Sequence, residues 1–413
     1  MRRDANLAAL VLCGALLGPV AGGQLALLGK PLGGVLGVPG EVVGYLAITA
    51  LVIGCATAFL VTGGRYRAAG VCALLAGLAY LTAGLTARPW LFTAAVLVAG
   101  AATGPALAAG RTLALARGGR ARTAWHGAMV AGAVLAAGTA VLCDRRPGTA
   151  LLIVGALAAG TGLLAVLTSE SAARAPGSAP AGSETAVRTS ESAIGGVAPA
   201  SESAPTSMLP GRVLEVAART SKAVAAQRLA AWRMKLAGSC RFLATGAVAG
   251  LLAGGTVLPG LHLLLFRFDA VGSEQTIWLL WATLPALLAV ALPGPDPGAV
   301  PMLLVIACGG PILVATAPGR ASLAVGIAVT LVAVVRTLRG VDLLLGDVVP
   351  HPATAWATLL APIAAGLAGL GLVTVCAPLF GTGSGLLVLA AAGLLAVLGL
   401  RRVTSTPLVK EMP

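Results

Sequence analysis

The chain has 413 residues, of which 58% are hydrophobic and only 10% charged, and its mean hydropathy is +0.95. Soluble globular domains carry about 25% charged residues, so this composition excludes an ordinary soluble protein and indicates that lipid surrounds most of the chain. The net charge of +14 does not indicate nucleic-acid binding, because the basic residues lie at the ends of apolar runs, as in membrane proteins.

Apolar segments long enough to cross the hydrocarbon core recur along the whole chain. Since backbone polar groups within lipid must be paired internally, we expect each segment to be an α-helix. The sequence therefore predicts an all-α polytopic membrane protein with twelve transmembrane helices in two pseudo-repeated six-helix bundles. The predicted spans are 6–28, 42–62, 68–86, 89–109, 124–143, 149–167, 242–266, 275–292, 300–317, 321–337, 353–378 and 383–400.

The first span contains the stretch "CGALLGPVAGGQ", residues 13–24, in which small residues recur at short intervals around a proline. Small residues let helices approach closely, and a proline frees a backbone carbonyl in mid-span. We interpret these positions as sites of packing or bending, with lining of a transport path as the alternative. The positions are Gly18, Pro19, Gly22 and Gly23, together with Pro259 and Gly260 in the seventh span.

The two bundles, 1–167 and 241–400, are separated by a segment of very different composition. Residues 168–212 are rich in Ser, Ala, Pro, Gly and Glu and contain no aromatic residue, which predicts a disordered linker. Residues 213–240 have the pattern of a basic amphipathic helix lying on an anionic membrane surface; an irregular solvated loop is the alternative. A polar tail, 401–413, follows the last span.

The distribution of basic residues predicts the orientation of the chain. Short loops on the side of the N-terminus hold most of the Arg and Lys residues that lie between spans. By the positive-inside rule, both termini and the linker are expected in the cytoplasm. The Ala, Gly and Arg-rich composition suggests a bacterial origin, and therefore a cytoplasmic (inner) membrane.

Several local features resemble the major facilitator superfamily (MFS) of secondary transporters. Residues 88–138 look like the fourth span, basic loop and glycine-rich fifth span of that family, and residues 336–371 echo them in the second half. The resemblance implies a binding site between the halves near the bilayer midplane, reached by alternating access. The exporter glycine motif belongs to the fifth span in that family, whereas here the complete pattern lies in the first span and does not establish an antiporter.

The family motif between the second and third spans is degenerate in this chain. The loop reads "LVTGGRYRAAG" (60–70), in which Arg65 matches the motif arginine but Gly64 replaces the acidic residue. The matching loop of the second half, "LPGPDPGAV" (292–300), keeps an acid, Asp296. The resemblance makes Arg65 and Asp296 candidates for cytoplasmic gating, while simple anchoring of the span by its arginines is the alternative.

Ionisable groups within a span are candidates for ion coupling. No acid is predicted in mid-span, and Asp342 is placed in a cytoplasmic loop. Because histidine can titrate near neutral pH, His262 is the predicted coupling residue, with an interfacial role as the alternative. The candidates for the substrate path are Gln24, His126, His262, Trp278 and Trp281, of which the two tryptophans also suit interfacial anchoring.

These observations together predict a secondary active transporter of a small uncharged or amphipathic solute, acting as an exporter. The expected partners are the solute, a coupling proton or cation, and membrane lipids. No enzyme motif or metal-ligand spacing is present in the sequence, so we expect neither catalysis nor a cofactor. The alternative is an MFS-like scaffold or partner protein that does not transport, favoured by Gly64 and the lack of predicted mid-span acids.

Overall fold

A computed structural model describes residues 2–58, 66–173, 241–264, 267–270, 273–345 and 352–405. The predicted amphipathic helix, most of the predicted linker and the end of the tail lie outside these ranges. The described parts form helices joined by short turns. The helices are α1 (Arg2–Ala15), α2 (Ala21–Leu27), α3 (Gly29–Leu36), α4 (Gly40–Thr57), α5 (Tyr66–Leu85), α6 (Pro89–Arg117), α7 (Gly119–Leu142), α8 (Pro147–Ala173), α9 (Arg241–Leu264), α10 (Ser273–Ala291), α11 (Val300–Ala315), α12 (Arg320–Leu345), α13 (Pro352–Phe380) and α14 (Thr382–Ser405).

The prediction of an all-α polytopic membrane protein is confirmed. Within the described residues, eleven helical stretches are long and apolar enough to cross a membrane, the first of them being Ala5–Leu27. The shorter apolar helix α11 has 16 residues and occupies the position of the ninth predicted span. Each of the twelve predicted spans therefore corresponds to a helix, six before the linker and six after it.

The first span is a helix with an irregular turn at its centre. Leu16–Val20 form a π-helical turn that contains Pro19, and the amide of Ala21 donates to the carbonyls of Leu16 and Gly18. Proline has no N–H to donate, so the regular hydrogen-bond ladder must rearrange around it. The turn joins α1 to α2, and the span ends at the short helix α3.

Two helices continue well beyond the spans predicted from hydropathy. Helix α6 reaches Arg117 rather than residue 109, and α12 reaches Leu345 rather than residue 337. The prediction that Asp342 lies in a loop is therefore wrong, because it lies inside α12 and is 1% exposed. Hydropathy falls where charged residues begin, but a helix can continue there when other side chains of the protein pair those charges.

Each half has its own apolar core, and glycines allow some of its helices to pack at backbone distance. A Cβ at Gly104 of α6 would lie 1.8 Å from the carbonyl oxygen of Gly54 on α4. Likewise, a Cβ at Gly250 of α9 would lie 2.0 Å from the carbonyl oxygen of Pro362 on α13. Only glycine fits these positions, because any side chain would force the two helices apart.

The halves meet along several helices. Helix α7 packs along α10, α6 contacts α13, and α12 contacts α7. At one end of the bundle, α6 and α7 are joined at Gly118, whose φ of +91° is favourable only for glycine. We call this the Gly118 end; the C-terminal turns of α12 and the connection from α10 to α11 lie there as well.

Candidate functional site

A buried cluster of charged side chains joins the two halves near the Gly118 end. Both terminal nitrogens of Arg111 on α6 donate to the carboxylate of Asp342 on α12, in a bidentate ion pair. On α7, His126 Nε2 lies 2.7 Å from Oδ2 of the same carboxylate. Arg111 is 5%, His126 8% and Asp342 1% exposed, so all three are removed from solvent.

Two further arginines surround this cluster and also cross between the halves. Arg122 of α7 donates to the backbone carbonyl of Asp342 at 2.8 Å and to that of Leu115 at 3.3 Å. Arg339 of α12 donates to the carbonyls of Val290 and Leu292 at 2.5 and 2.6 Å, and to Thr123 Oγ1 at 3.3 Å. Arg122 and Arg339 thus bind backbone carbonyls, whereas Arg111 binds the Asp342 carboxylate.

The sharp turn at Gly118 positions the first-half members of the cluster. It brings the last turns of α6 beside the first turns of α7, so that Arg111 and His126 point at the same segment of α12. Trp125, which is 3% exposed, packs beside these residues. Its ring packs against Gly110 and Gly14, where an added Cβ would lie 2.8 and 3.1 Å away.

A cavity of about 450 Å³ lies between the halves and ends at this cluster. Its lining comes from both halves and is almost entirely apolar. The polar side chains in the lining are Arg111, Trp125, His126 and Thr358. A second cavity, of about 300 Å³, shares four of its lining residues. The shared residues are Met129, Val130, Leu258 and Val335.

The predicted path residues fall in different places, and one of them, His126, is in the cluster. Gln24 is fully buried, with its Nε2 donating to Thr139 Oγ1 of α7 at 2.8 Å, so it ties α2 to α7. Trp278 is half-buried against the second-half core, and Trp281 is 64% exposed on the outer surface. The residues of α10 that line the second cavity are Leu279, Thr283 and Ala286.

His262 and Asp296 are not part of the cluster. His262 is exposed near the C-terminal end of α9. Asp296 is exposed in the connection between α10 and α11, and Arg65 lies outside the described residues. Whether Arg65 and Asp296 pair stays a prediction, because Arg65 lies outside the described residues; at the Gly118 end the described charge pair is Arg111 and Asp342.

The predicted bending and packing residues lie against neighbouring helices or cavities. Pro19 is part of the π-helical turn, and a Cβ at Gly23 would lie 2.7 Å from that of Ala136 on α7. A Cβ at Gly260 would lie 2.9 Å from Ile327 of α12, and α9 stays helical through the buried Pro259. Gly18 and Gly22 line a small recess near α4, while Pro19 and Gly23 line the second cavity.

Asp342 and Arg111 are the functional candidates that sequence reasoning missed. Both lie just past an apolar run, where a hydropathy count ends the span. The available signal was the apolar pattern after Asp342, "VDLLL" at 341–345, which continues the helix by a further turn. Among the described residues, no three His, Cys, Asp or Glu side chains are grouped in a way that could hold a metal ion.

The fold is similar to that of solved membrane transporters, although the sequences have diverged. A POT family transporter in complex with a thioalcohol-conjugated peptide aligns over 96% of both chains, with 12% identity and a TM-score of 0.63. The human organic anion transporter MFSD10 aligns over 97% of this chain and 98% of its own, with 18% identity and a TM-score of 0.62.

The proton:xylose symporter XylE, described as a major facilitator superfamily protein, aligns over 97% of this chain and 95% of its own, with 14% identity and a TM-score of 0.57. These neighbours are transporters rather than enzymes. No protein-family model matches the sequence, and no curated protein is similar to it in sequence. The chain has two six-helix halves around a central cavity and is similar in structure to these transporters. It therefore has the fold of the major facilitator superfamily.

Proposed function

We propose that the protein is a secondary active transporter that moves a small uncharged or amphipathic solute by alternating access. The observation that carries the proposal is the Arg111–His126–Asp342 cluster, which closes one end of an apolar cavity between two halves. We also propose a cytoplasmic membrane with both termini inside, which would make the Gly118 end the cytoplasmic end. The apolar lining suits compounds that partition into membranes, and export from the cell is the direction that we propose.

The cluster has the properties of a gate between the halves. Opening the cavity at the Gly118 end requires α12 to leave α6 and α7, which separates Asp342 from Arg111 and His126. Separating the pair gives up its charge-assisted hydrogen bonds, which are stronger than those between neutral groups. The closed state is therefore stable until an event at the cluster lowers that cost.

We propose that this event is the delivery of a proton to Asp342. A proton on Asp342 converts the carboxylate into a neutral acid and removes its charge-assisted bonds to Arg111. His126 Nε2 lies 2.7 Å from the same carboxylate and is therefore placed to hand a proton to Asp342 or to take one from it. Arg122 and Arg339 also lie at this seam, bound to backbone carbonyls, and their positive charge disfavours a further cation.

A transport assay in vesicles tests this function. The full chain is reconstituted into liposomes, and flux of a panel of fluorescent amphipathic compounds is followed with and without a pH gradient. We expect gradient-driven flux for at least one compound in the wild type. A wild-type protein that moves no compound under any proton or cation gradient would contradict transport and favour the scaffold alternative.

Two histidine variants then test coupling within the same assay. We expect His126→Ala to abolish gradient-driven flux, because it removes the proton-exchanging partner of Asp342, while downhill flux remains. His262→Ala is the matched control, since it removes an exposed histidine of α9, and its flux should stay near that of the wild type. If His262→Ala loses the pH dependence and His126→Ala keeps it, the coupling site lies on α9, as the sequence alone suggested.

A further inference from the structure

Building on the proposed transport function, we infer that the solute is an amphipathic organic anion that reaches the cavity sideways from the bilayer, between α4 and α13. Two observations carry the inference. The first is the excess of positive charge around the cavity. The second is the contrast between the two seams where the halves face each other.

Among the described residues, the charged groups at the cavity end are unequal in number. Arg111, Arg122 and Arg339 are buried or half-buried there, and Asp342 is the carboxylate that lies among them. Arg111 and His126 line the cavity, whereas Asp342 lies behind them and is not part of the lining. Among the described lining residues Arg111 is thus a permanent cation and none is an acid, which favours an anionic head group.

Arg111 is placed to hold that head group. A guanidinium presents donors in a fork that matches a carboxylate or a sulfonate, and the Asp342 carboxylate already occupies this fork. An anionic solute can compete for the same donors, and Asp342 then keeps its contacts with His126 Nε2 and, through its backbone carbonyl, with Arg122. The exchange keeps Arg111 paired with an anion throughout.

The rest of the cavity suits an apolar body. Trp125, Met129 and Val130 of α7 line it on one side, and Leu359 and Ile363 of α13 on the other. Burial of such surface is favourable by about 25 cal/mol per Å² and requires no specific polar partner. The cavity thus combines one cationic end with an extended apolar wall, which is the complement of an amphipathic anion.

The two seams between the halves differ in packing. On one side α7 packs closely along α10, whereas α4 and α13 touch only marginally among the described residues. Correspondingly, only 17% of the residues in the most apolar stretch of α4 and 11% in that of α13 are buried, against 56% for α9. Helices α4 and α13 have lower shares than every other long apolar helix of the described chain.

The open seam leads into the cavity. Leu51 of α4, which is 40% exposed, lines both the central cavity and the recess between α4 and α13. Leu359 and Ile363 of α13 do the same from the other side. Because apolar side chains form both edges of this seam, a molecule dissolved in the bilayer can enter through it without leaving an apolar environment.

A binding experiment with a brominated long-chain carboxylate tests the head group. Bromine quenches nearby tryptophan, and Trp125 lines the cavity. We expect the acid to quench the part of the tryptophan fluorescence that comes from Trp125, which is the part missing from Trp125→Phe. The methyl ester lacks the charge, so we expect it to need about tenfold higher concentration for the same quenching. The double variant Arg111→Gln/Asp342→Asn keeps the cavity without either charge and should bind acid and ester alike. Equal quenching of the wild type by acid and ester would overturn the anionic assignment.

Cross-linking tests the route. In a cysteine-free background, Leu51→Cys and Ile363→Cys are joined by a bifunctional maleimide, with each single-cysteine variant treated in parallel as the control. We expect the cross-link to slow quenching of Trp125 by the long-chain acid, while the treated single variants behave as the untreated protein. Unchanged quenching kinetics after complete cross-linking would overturn the lateral route.

Both assays measure binding and not transport. An anion that binds but is never transported would therefore reject the transport function and leave the ligand assignment standing.

Discussion

Asp342 is the residue on which the charged contacts between the halves depend. Its carboxylate accepts from Arg111 and His126, and its backbone carbonyl accepts from Arg122, so one position of α12 holds side chains of both α6 and α7. A buried charge of this kind contributes little net stability while paired but is costly when its partner is removed. The contribution of the ion pair to stability is therefore measured by comparing single and double substitutions.

We predict that Asp342→Ala lowers the free energy of unfolding by about 3–5 kcal/mol, since it leaves the Arg111 guanidinium buried without a counter-charge. The double variant Arg111→Met/Asp342→Leu removes both charges and fills the space, so it should recover most of that loss. Thermal unfolding of the purified proteins in detergent measures both effects. A double variant that is as unstable as Asp342→Ala would show that the pair itself, rather than the unpaired charge, determines stability.

At the scale of helices, close approach through glycine decides which helices pair. Two of the glycines of helix α4, Gly44 and Gly54, lie in different surroundings. A Cβ at Gly54 would lie 2.8 Å from the carbonyl oxygen of Gly100 on α6, whereas nothing lies within 4 Å of a Cβ at Gly44. The two positions therefore provide a matched pair on one helix.

We predict that Gly54→Val prevents α4 from seating on α6 and gives a protein that aggregates in detergent, because the side chain must displace backbone. Gly44→Val on the same helix has open space and should leave the protein monodisperse. Size-exclusion chromatography of the two variants, expressed side by side, makes the comparison. Similar profiles for both variants would show that the α4–α6 contact is not required for folding.

The positions of the helices could be predicted from the sequence, but the charged cluster could not. Apolar runs of sufficient length are visible in hydropathy, and the α-helix is the way for each of them to satisfy its backbone in lipid. The ends of α6 and α12 depend instead on which charges pair in space. Arg111 and Asp342 lie 231 positions apart, and nothing local to either residue indicates the other. His126 was recognisable as a polar residue near a span, but its buried partner was not.

For the whole molecule, the orientation in the membrane is the property on which the proposed gating depends. The Gly118 end carries Arg111, Arg117, Arg120 and Arg122 on α6 and α7, and Arg336 and Arg339 on α12. Such an excess of arginine is typical of the cytoplasmic side. If this end faces the cytoplasm, the state described here is closed to the cytoplasm by the cluster.

We predict that reporter fusions at residue 190 and at the C-terminus both report a cytoplasmic location. The physical reason is the arginine excess in the short segments on that side of the spans. Paired alkaline phosphatase and fluorescent-protein fusions give opposite signals in the two compartments, so each site is measured twice. Phosphatase activity at both sites would place them outside and reverse the assignment of the gate, whereas activity at one site alone would require an odd number of spans between the two.

The π-helical turn at Leu16–Val20 also sets the register of the first span. Gly14 and Gly23 both face α7, against Trp125 and Ala136. In a regular α-helix each residue advances by about 100°, so positions nine apart lie on opposite sides. A π-helical turn accommodates one extra residue, which reduces the angle between these two glycines from about 180° to about 80° and puts both on the side that faces α7. The turn therefore acts as a one-residue insertion.

We predict that deleting Pro19 regularises the helix and leaves the protein folded. Deleting Ala83 from the regular helix α5 should instead prevent folding, because the rest of that helix would lose its register. Detergent monodispersity of the two deletions compares them, and aggregation of the Pro19 deletion would show that the irregular turn is itself required.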